Sequence, residues 1–429
     1  MRHCSIPLSL LALIGWANLG GEGRAIAADW SGWRGSDGTA VSHDRGFPLT
    51  WSRTENVAWT VDVPGKGASS PIVVAGRVIL TSQTEDHGLH VLAFDAKTGK
   101  PLWDQVVANG NARAHSLHNM ATPTAVASKD RIWVLFGTGD AACLNSSGKV
   151  LWHRALAPEY GAYKANHGYG SSPLLIGDRL YIAWMHQGPS VLLALDSSNG
   201  KTLWKADRNL GAREEANDSY SSPLAVREFG RTSVVLAGAE ALNAYDPATG
   251  QERWVFKGIK VDHPYGRTIA GATAGENTII AVASGFQNRG YTLAVGTGGS
   301  GDVTATHKRW TAQKFAPDCP TPVIDQGRVF LIRDDGMASC LDLKTGESFW
   351  QERLFSDNVK VSPVAAEGRI YFTSGQGNCV VVKSGPKLEI LARNEWKEET
   401  LSTPAFSSGR IYLRTLNRLN CFGSVRPEK

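Results

Sequence analysis

The chain has 429 residues, of which 20% are charged and 42% hydrophobic, and its net charge is +5. That balance is globular and excludes a disordered chain. No Lys/Arg run stands out, so nucleic acid is not an expected partner, and past the N-terminal leader no segment holds the ~20 apolar residues of a membrane span.

The first residues read as an export signal. Arg2 and His3 precede an apolar stretch at 6–19, and Ala25-Ile26-Ala27 is a small-x-small cleavage site. Cys4 lies before that stretch, where it cannot serve as a lipid-modified cysteine after cleavage. The expectation is a signal peptide over residues 1–28 and an exported chain, periplasmic or extracellular. Residues 29–55, opening with Trp30-Ser31-Gly32-Trp33-Arg34-Gly35, are read as a strap. Asn56-Val57-Ala58-Trp59-Thr60-Val61 then reads as an orphan strand with no partner in the preceding sequence.

From there the chain repeats. Ala93-Phe94-Asp95-Ala96-Lys97-Thr98-Gly99-Lys100-Pro101-Leu102-Trp103 returns as Ala194…Gly200…Trp204, as Ala244…Gly250…Trp254, as Cys340…Gly346…Trp350 and, more weakly, as Cys143…Gly148…Trp152. Each copy follows a Ser/Thr-Pro start and two apolar runs. The starting prolines, Pro71, Pro123, Pro173, Pro223, Pro322, Pro363 and Pro404, are spaced 52, 50, 50, 99, 41 and 41 apart. The 99 hides one unit, whose strands are expected at 278–284 and 291–295. Tryptophans count the same units independently: Trp59, Trp103, Trp152, Trp204, Trp254, Trp310 and Trp350, with Trp396 taken as the eighth.

Within a unit, two hairpins of alternating apolar residues are separated by turns. Gly supplies the positive φ of the Thr-Gly turn, and the Asp accepts backbone N–H bonds there. Four antiparallel strands per 40–50 residues make a propeller blade. The last unit ends at Leu419-Asn420-Cys421-Phe422 without its own Trp strand. Pairing it with the orphan strand closes the ring and removes two open edges. The predicted fold is therefore all-β: an eight-bladed propeller over residues 56–423, closed by its N-terminal strand and followed by a tail at 424–429.

The repeated phrase resembles the tryptophan-docking motif of the PQQ-binding-like, quinoprotein alcohol dehydrogenase-like β-propeller repeat family. The resemblance covers roughly residues 30–423 and extends to His167-Gly168-Tyr169-Gly170-Ser171-Ser172-Pro173. One branch of that family contains PQQ-dependent dehydrogenases with a vicinal Cys-Cys disulfide over the quinone, a Trp floor and Ca²⁺. This chain has no Cys-Cys pair. The other branch contains non-catalytic propellers such as the BamB-type lipoprotein of outer-membrane β-barrel assembly, although the lipid-anchored Cys is missing here. The resemblance thus implies a binding or scaffold propeller whose partner is an envelope protein or a polar small molecule, with no cofactor. The alternative is a PQQ-dependent alcohol or sugar dehydrogenase carrying PQQ with calcium.

Loops entering the first strand of each blade gather at one mouth of the channel. About five residues before each blade proline stand Lys66, His118, His167, Asp218, Asp318, Asn358 and Glu399, with Arg267 from the hidden unit. These eight are the expected ligand-binding residues. Histidines and carboxylates also suit a divalent metal, whereas Lys66 and Arg267 argue against a tight cation cage, so the metal question stays open. His115 and His118, three residues apart in one interblade loop and off any helix, read as a polar surface pair more than as a ligand set. Residues 296–302, Gly-rich, lack the Lys-Ser/Thr of a P-loop and no helix is expected after them, so they read as a long hairpin connection. No Gly-x-Ser-x-Gly elbow and no other catalytic set is found. Of the five cysteines beyond the leader, Cys143, Cys340 and Cys421 take the place of Ala93, Ala194 and Ala244 and are read as small buried residues. An odd number leaves at least one unpaired.

Overall fold

The computed structural model describes Met1, residues 29–283 and residues 290–424; the expected signal peptide lies outside the described residues. Eight sheets form one ring. Blade 1 is Ile72–Val74, Arg77–Gln83, Gly88–Asp95 and Pro101–Asn109, in sequence order from inner to outer strand. Blades 2 to 7 follow the same plan. The hidden unit is blade 5, with strands Thr278–Ala283 and Tyr291–Gly296 and Trp310 opposite Ala294. Blade 8 closes as expected: Val57–Asp62 pairs antiparallel with Arg418–Phe422, with Trp59 opposite Cys421.

The apolar cores lie in the seams between blades. One joins Ile79 and Val91 of blade 1 to Ile132 and Val134 of blade 2, and another joins Leu180 and Leu193 of blade 3 to Leu135 of blade 2. Both faces of a blade are therefore buried, which is why its inner strands are nearly continuous apolar runs. Cys143, Cys340 and Cys421 sit opposite Trp152, Trp350 and Trp59 in these seams, buried and free.

The docking phrase locks one blade to the next. Asp95 Oδ1 accepts the N–H groups of Lys97 and Thr98, at 3.1 and 2.8 Å. Gly99 adopts φ 74°, and a Cβ there would stand 2.6 Å from the ring of Trp59, which belongs to blade 8. The same contact recurs between Gly148 and Trp103, Gly200 and Trp152, Gly250 and Trp204, and Gly346 and Trp310. Each of these tryptophans donates its indole N–H to a carbonyl in the neighbouring turn, such as Trp59 to Ala96 and Trp204 to Pro247. Gly is thus required twice, for its positive φ and for the ring that covers it. Gly250→Ala is expected to lower the denaturant midpoint by an amount equivalent to about 2–3 kcal/mol. Gly76→Ala supplies the control: it has φ 74° but nothing within 4 Å. Equal losses in the two variants would remove the ring contact as the cause.

Two departures from the repeat are informative. Trp254 donates to the buried carboxylate of Glu228, which also accepts Gly298 N–H and the Ser233 hydroxyl. Here the connection after Gly296 replaces the docking turn. It lays Gly301–Asp302 parallel to the outer strand of blade 4 and then forms a one-turn helix, Thr304–His307, where no helix was expected. The second departure is blade 7, where Ala392, opposite Val381, takes the tryptophan position. Trp396 does not close that unit. It lies buried past the strand against Phe422, its ring centroid 4.8 Å away.

The strap crosses the ring instead of lying on its rim. Trp30 bridges Val73 of blade 1, and the Ser31 carbonyl accepts Ala127 N–H of blade 2. The buried Arg34 guanidinium donates to the carbonyls of Thr321 and Pro322 in blade 6 at 2.8 and 2.6 Å. Val41–Ser42 then pairs parallel with blade 7, and Ser42 Oγ reaches Phe406 of blade 8. One end of the channel is plugged.

Candidate functional site

The residues just before each inner strand build a girdle around the channel. Ser70 N–H donates to Thr124 Oγ1, Thr124 N–H to Ser172 Oγ, and Ser172 N–H to Ser222 Oγ, at 2.9, 3.0 and 2.8 Å. Across the ring Gly271 N–H donates to Thr321 Oγ1, Thr321 N–H to Ser362 Oγ, Ser362 N–H to Thr403 Oγ1, and Thr403 N–H to Ser70 Oγ. The circle is broken only at blade 5, where Gly271 has no hydroxyl. Trp33 from the strap fills that place; a Cβ on Gly271 would stand 3.2 Å from its ring. The Ser/Thr beside each blade proline (before it in six blades, after it at Thr124 of blade 2) is therefore an interblade bond. Each oxygen spends a lone pair on a neighbour's N–H, which leaves its O–H proton to the channel.

Above the girdle is a cavity of about 320 Å³, at the lower end of the ~300–1,000 Å³ of small-molecule sites. Trp33 and the seven hydroxyl residues form its floor. His115, His118, His167, Tyr220, Arg267, Asp318, Cys319 and Lys360 form much of its wall. Four of the eight expected residues thus meet here: His118, His167, Arg267 and Asp318. The other four do not line it. Lys66 makes a backbone bridge to Gln83, and Asn358 is held through its carbonyl by Gly375 N–H. Glu399 is exposed. Asp218 is buried behind the wall, accepting Asn166 N–H and Gln187 Nε2 at 3.0 and 3.1 Å.

The physical reason is register. Residues one and three before the proline face the channel, as Ser362 and Lys360 do, or Ser222 and Tyr220. That alternation is the two-residue period of an extended chain. Further out the two-residue period is lost and the direction differs from blade to blade: Lys66, Asp218, Asn358 and Glu399 stand off the cavity, whereas His118, His167 and Asp318 still line it. In blade 2 the proline itself is displaced: Thr124, not Thr122, stands two residues before the strand. A reading three residues before each proline would have found Tyr220, Cys319 and Lys360; the sequence marks Trp33 only as part of the strap motif Trp30–Gly35, and His115 only by its place beside His118.

The wall's charges are mutually committed. Arg267 pairs with Glu215 at 3.0 Å and with Asp318 at 3.5 Å, and Lys360 with Asp334 at 2.6 Å. Two cations face three carboxylates, so the cavity carries no net positive field. The histidines cluster, with ring centroids 5.1 Å apart for His115–His167 and 6.5 Å for His115–His118. Burial pushes His118 down to about 4, the neighbouring imidazoles adding to it, and lowers His167 as well. Both are neutral near pH 7 and offer one donor and one acceptor each. Burial raises Asp218 and, with Asp334, holds Cys319 as a thiol.

These donors do not fit calcium beside a quinone. Asp318, a carboxylate in the wall, is engaged by Arg267. Among the described residues no three His, Cys, Asp or Glu are placed to hold a metal ion.

Four-stranded blades docked through Trp–Gly contacts around a plugged channel define a PQQ-repeat propeller. The chain belongs to the family described as outer membrane protein assembly factor BamB, whose profile matches residues 27–164 and 121–352. It is 26% identical over 268 residues to the outer membrane protein assembly factor BamB of Yersinia pestis, covering 54% of this chain and 60% of that protein. It is also 24% identical over 272 residues to a polyvinylalcohol dehydrogenase of a Pseudomonas species, covering 54% and 41%. The chain thus matches less than two thirds of the length of these curated relatives. Among solved structures, BamB from Moraxella catarrhalis superposes with a TM-score of 0.62 at 16% identity, covering 87% of this chain and 98% of that one. A europium-containing methanol dehydrogenase does so with a TM-score of 0.67 at 11% identity, covering 92% and 98%. At these identities the likeness shows the fold. Among the described residues no helix is long and apolar enough to cross a membrane.

Proposed function

We propose that this chain is an exported, non-catalytic binding propeller that presents its entry loops and blind channel to a polar ligand or an envelope protein. The observation that carries this reading is the girdle of hydroxyl groups above a plug: a channel closed at one end and floored by available O–H donors is a receptacle, not a conduit. The wall supports it, since its ionic groups are paired with one another and burial with Asp334 holds Cys319 as a thiol instead of a reactive thiolate. The assembly-factor relative supports an envelope protein as partner. The dehydrogenase relative supports the alternative of quinone-dependent alcohol or sugar oxidation, and fold alone does not choose.

One experiment separates the two. The purified full chain is incubated with PQQ and Ca²⁺ and assayed for dye-linked oxidation of alcohols and sugars. The expected result is no turnover, and a native mass equal to that of the chain alone before reconstitution. Turnover would overturn the binding reading.

A further inference from the structure

The cavity's chemistry narrows the ligand. This step rests on the binding reading above. The floor sets the partly exposed aromatic side chain of Trp33 among hydroxyl groups. Beside it stand neutral imidazoles, each able to give and take a hydrogen bond, and two ion pairs, Arg267–Asp318 and Lys360–Asp334, that offer donors and acceptors without net positive charge. An anion would meet three carboxylates at or behind the wall. Among the described residues a metal cation finds no set of three His, Cys, Asp or Glu ligands. A purely apolar guest would strand the hydroxyls and imidazoles without hydrogen-bond partners. What satisfies all of these is a molecule with one apolar C–H face and a rim of hydroxyls that both donate and accept. We infer that the channel binds a neutral sugar, one or two units long, with its C–H face on Trp33 and its hydroxyls among the girdle, His118, His167 and the Arg267–Asp318 pair.

The size agrees: about 320 Å³ is too small for a long glycan. His118 has a buried Nδ1 with no partner.

The test is titration of the full chain with glucose, N-acetylglucosamine, maltose and cellobiose, followed by calorimetry and intrinsic tryptophan fluorescence. Galacturonate and inorganic phosphate are the charged comparisons. The expected result is saturable binding of at least one neutral sugar with a change in tryptophan emission. Trp33→Ala should weaken it at least tenfold and remove the emission change. Because Trp33 also packs in the plug, His167→Gln serves as a second variant on a half-exposed wall residue, also expected to lose at least tenfold while keeping the wild-type melting temperature. Binding of no neutral sugar overturns the inference. If galacturonate or phosphate binds instead, the ligand class is wrong and the binding reading stands; dye-linked turnover with PQQ and Ca²⁺ would defeat both. Sugar binding unchanged in both variants would place the sugar elsewhere and also overturn the inference.

Discussion

Removing residues 29–63 is expected to abolish cooperative folding of the whole ring, not merely to loosen one blade. That segment carries Trp30, Phe47, Trp51 and Trp59, all in the largest core or packed against it. Burying each contributes about 1.5–3 kcal/mol, which together approaches the ~5–15 kcal/mol net stability of a folded protein. The loss is also topological. Without Val57–Asp62, the Arg418–Phe422 strand becomes an open edge, and the joint between blades 8 and 1, Trp59 against Gly99, disappears. Near-ultraviolet circular dichroism and a thermal melt of residues 64–424 should show no cooperative transition, and a peptide of residues 29–63 added in trans should restore one. A truncated protein that melts where the full chain does would defeat the closure scheme. The milder Trp59→Ala is expected to cost about 3 kcal/mol.

Acid should destabilise the propeller through two histidines. His118 and His186 both sit near pKa 4 in the folded state, burial being the main cause in each. For His186 the geometry explains why: its Nδ1 accepts the N–H groups of Lys164 and Gly188 at 3.1 and 3.0 Å, so adding a proton there breaks both bonds. In the unfolded chain each titrates near 6.5. Above that pH both states are neutral and nothing is lost. As pH falls from about 6.5 to 4, the unfolded chain takes up protons that the folded one refuses, and stability drops by up to about 3 kcal/mol per histidine. Below pH 4 this contribution levels off. Denaturant midpoints at pH 7.5, 5.5 and 4.5 should fall in that order. His186→Asn, whose Oδ1 can replace Nδ1 as acceptor, should flatten the profile. A profile as steep as that of the unaltered chain would exclude His186 as a source.

Much of the architecture was legible before any coordinates. The Asp-x-x-Thr-Gly turn and its tryptophan are spelled in eleven contiguous residues, and repetition raised a weak local signal into a blade count. The same reading located the closing strand, because an unpaired strand at one end and a missing one at the other have a single solution. It misplaced Trp396, since a tryptophan near a strand end resembles one within it. It could not see that Glu228 replaces the docking turn for Trp254, because that carboxylate lies 26 residues earlier in the chain.

The site was legible only in part. Of the eight residues read at the channel mouth, His118, His167, Arg267 and Asp318 line the cavity. Tyr220, Cys319 and Lys360 stand three residues before their prolines and were missed because the reading took the residue four or five before, outside the extended segment whose two-residue period sets which side chains face the channel. His115 was set aside because its neighbour His167 is 52 residues away in sequence and only 5.1 Å away between ring centroids.

By itself the sequence determined what repeats: strand, turn, docking ring and the number of blades, all governed by neighbours within one unit. The tertiary structure decided what the ring encloses. That Trp33 fills the gap left by Gly271, that seven hydroxyls form one girdle, and that Arg34 anchors a plug in blade 6 are outcomes of closure. Closure brings residues some 290 positions apart into hydrogen-bonding distance, and no local pattern records such a meeting.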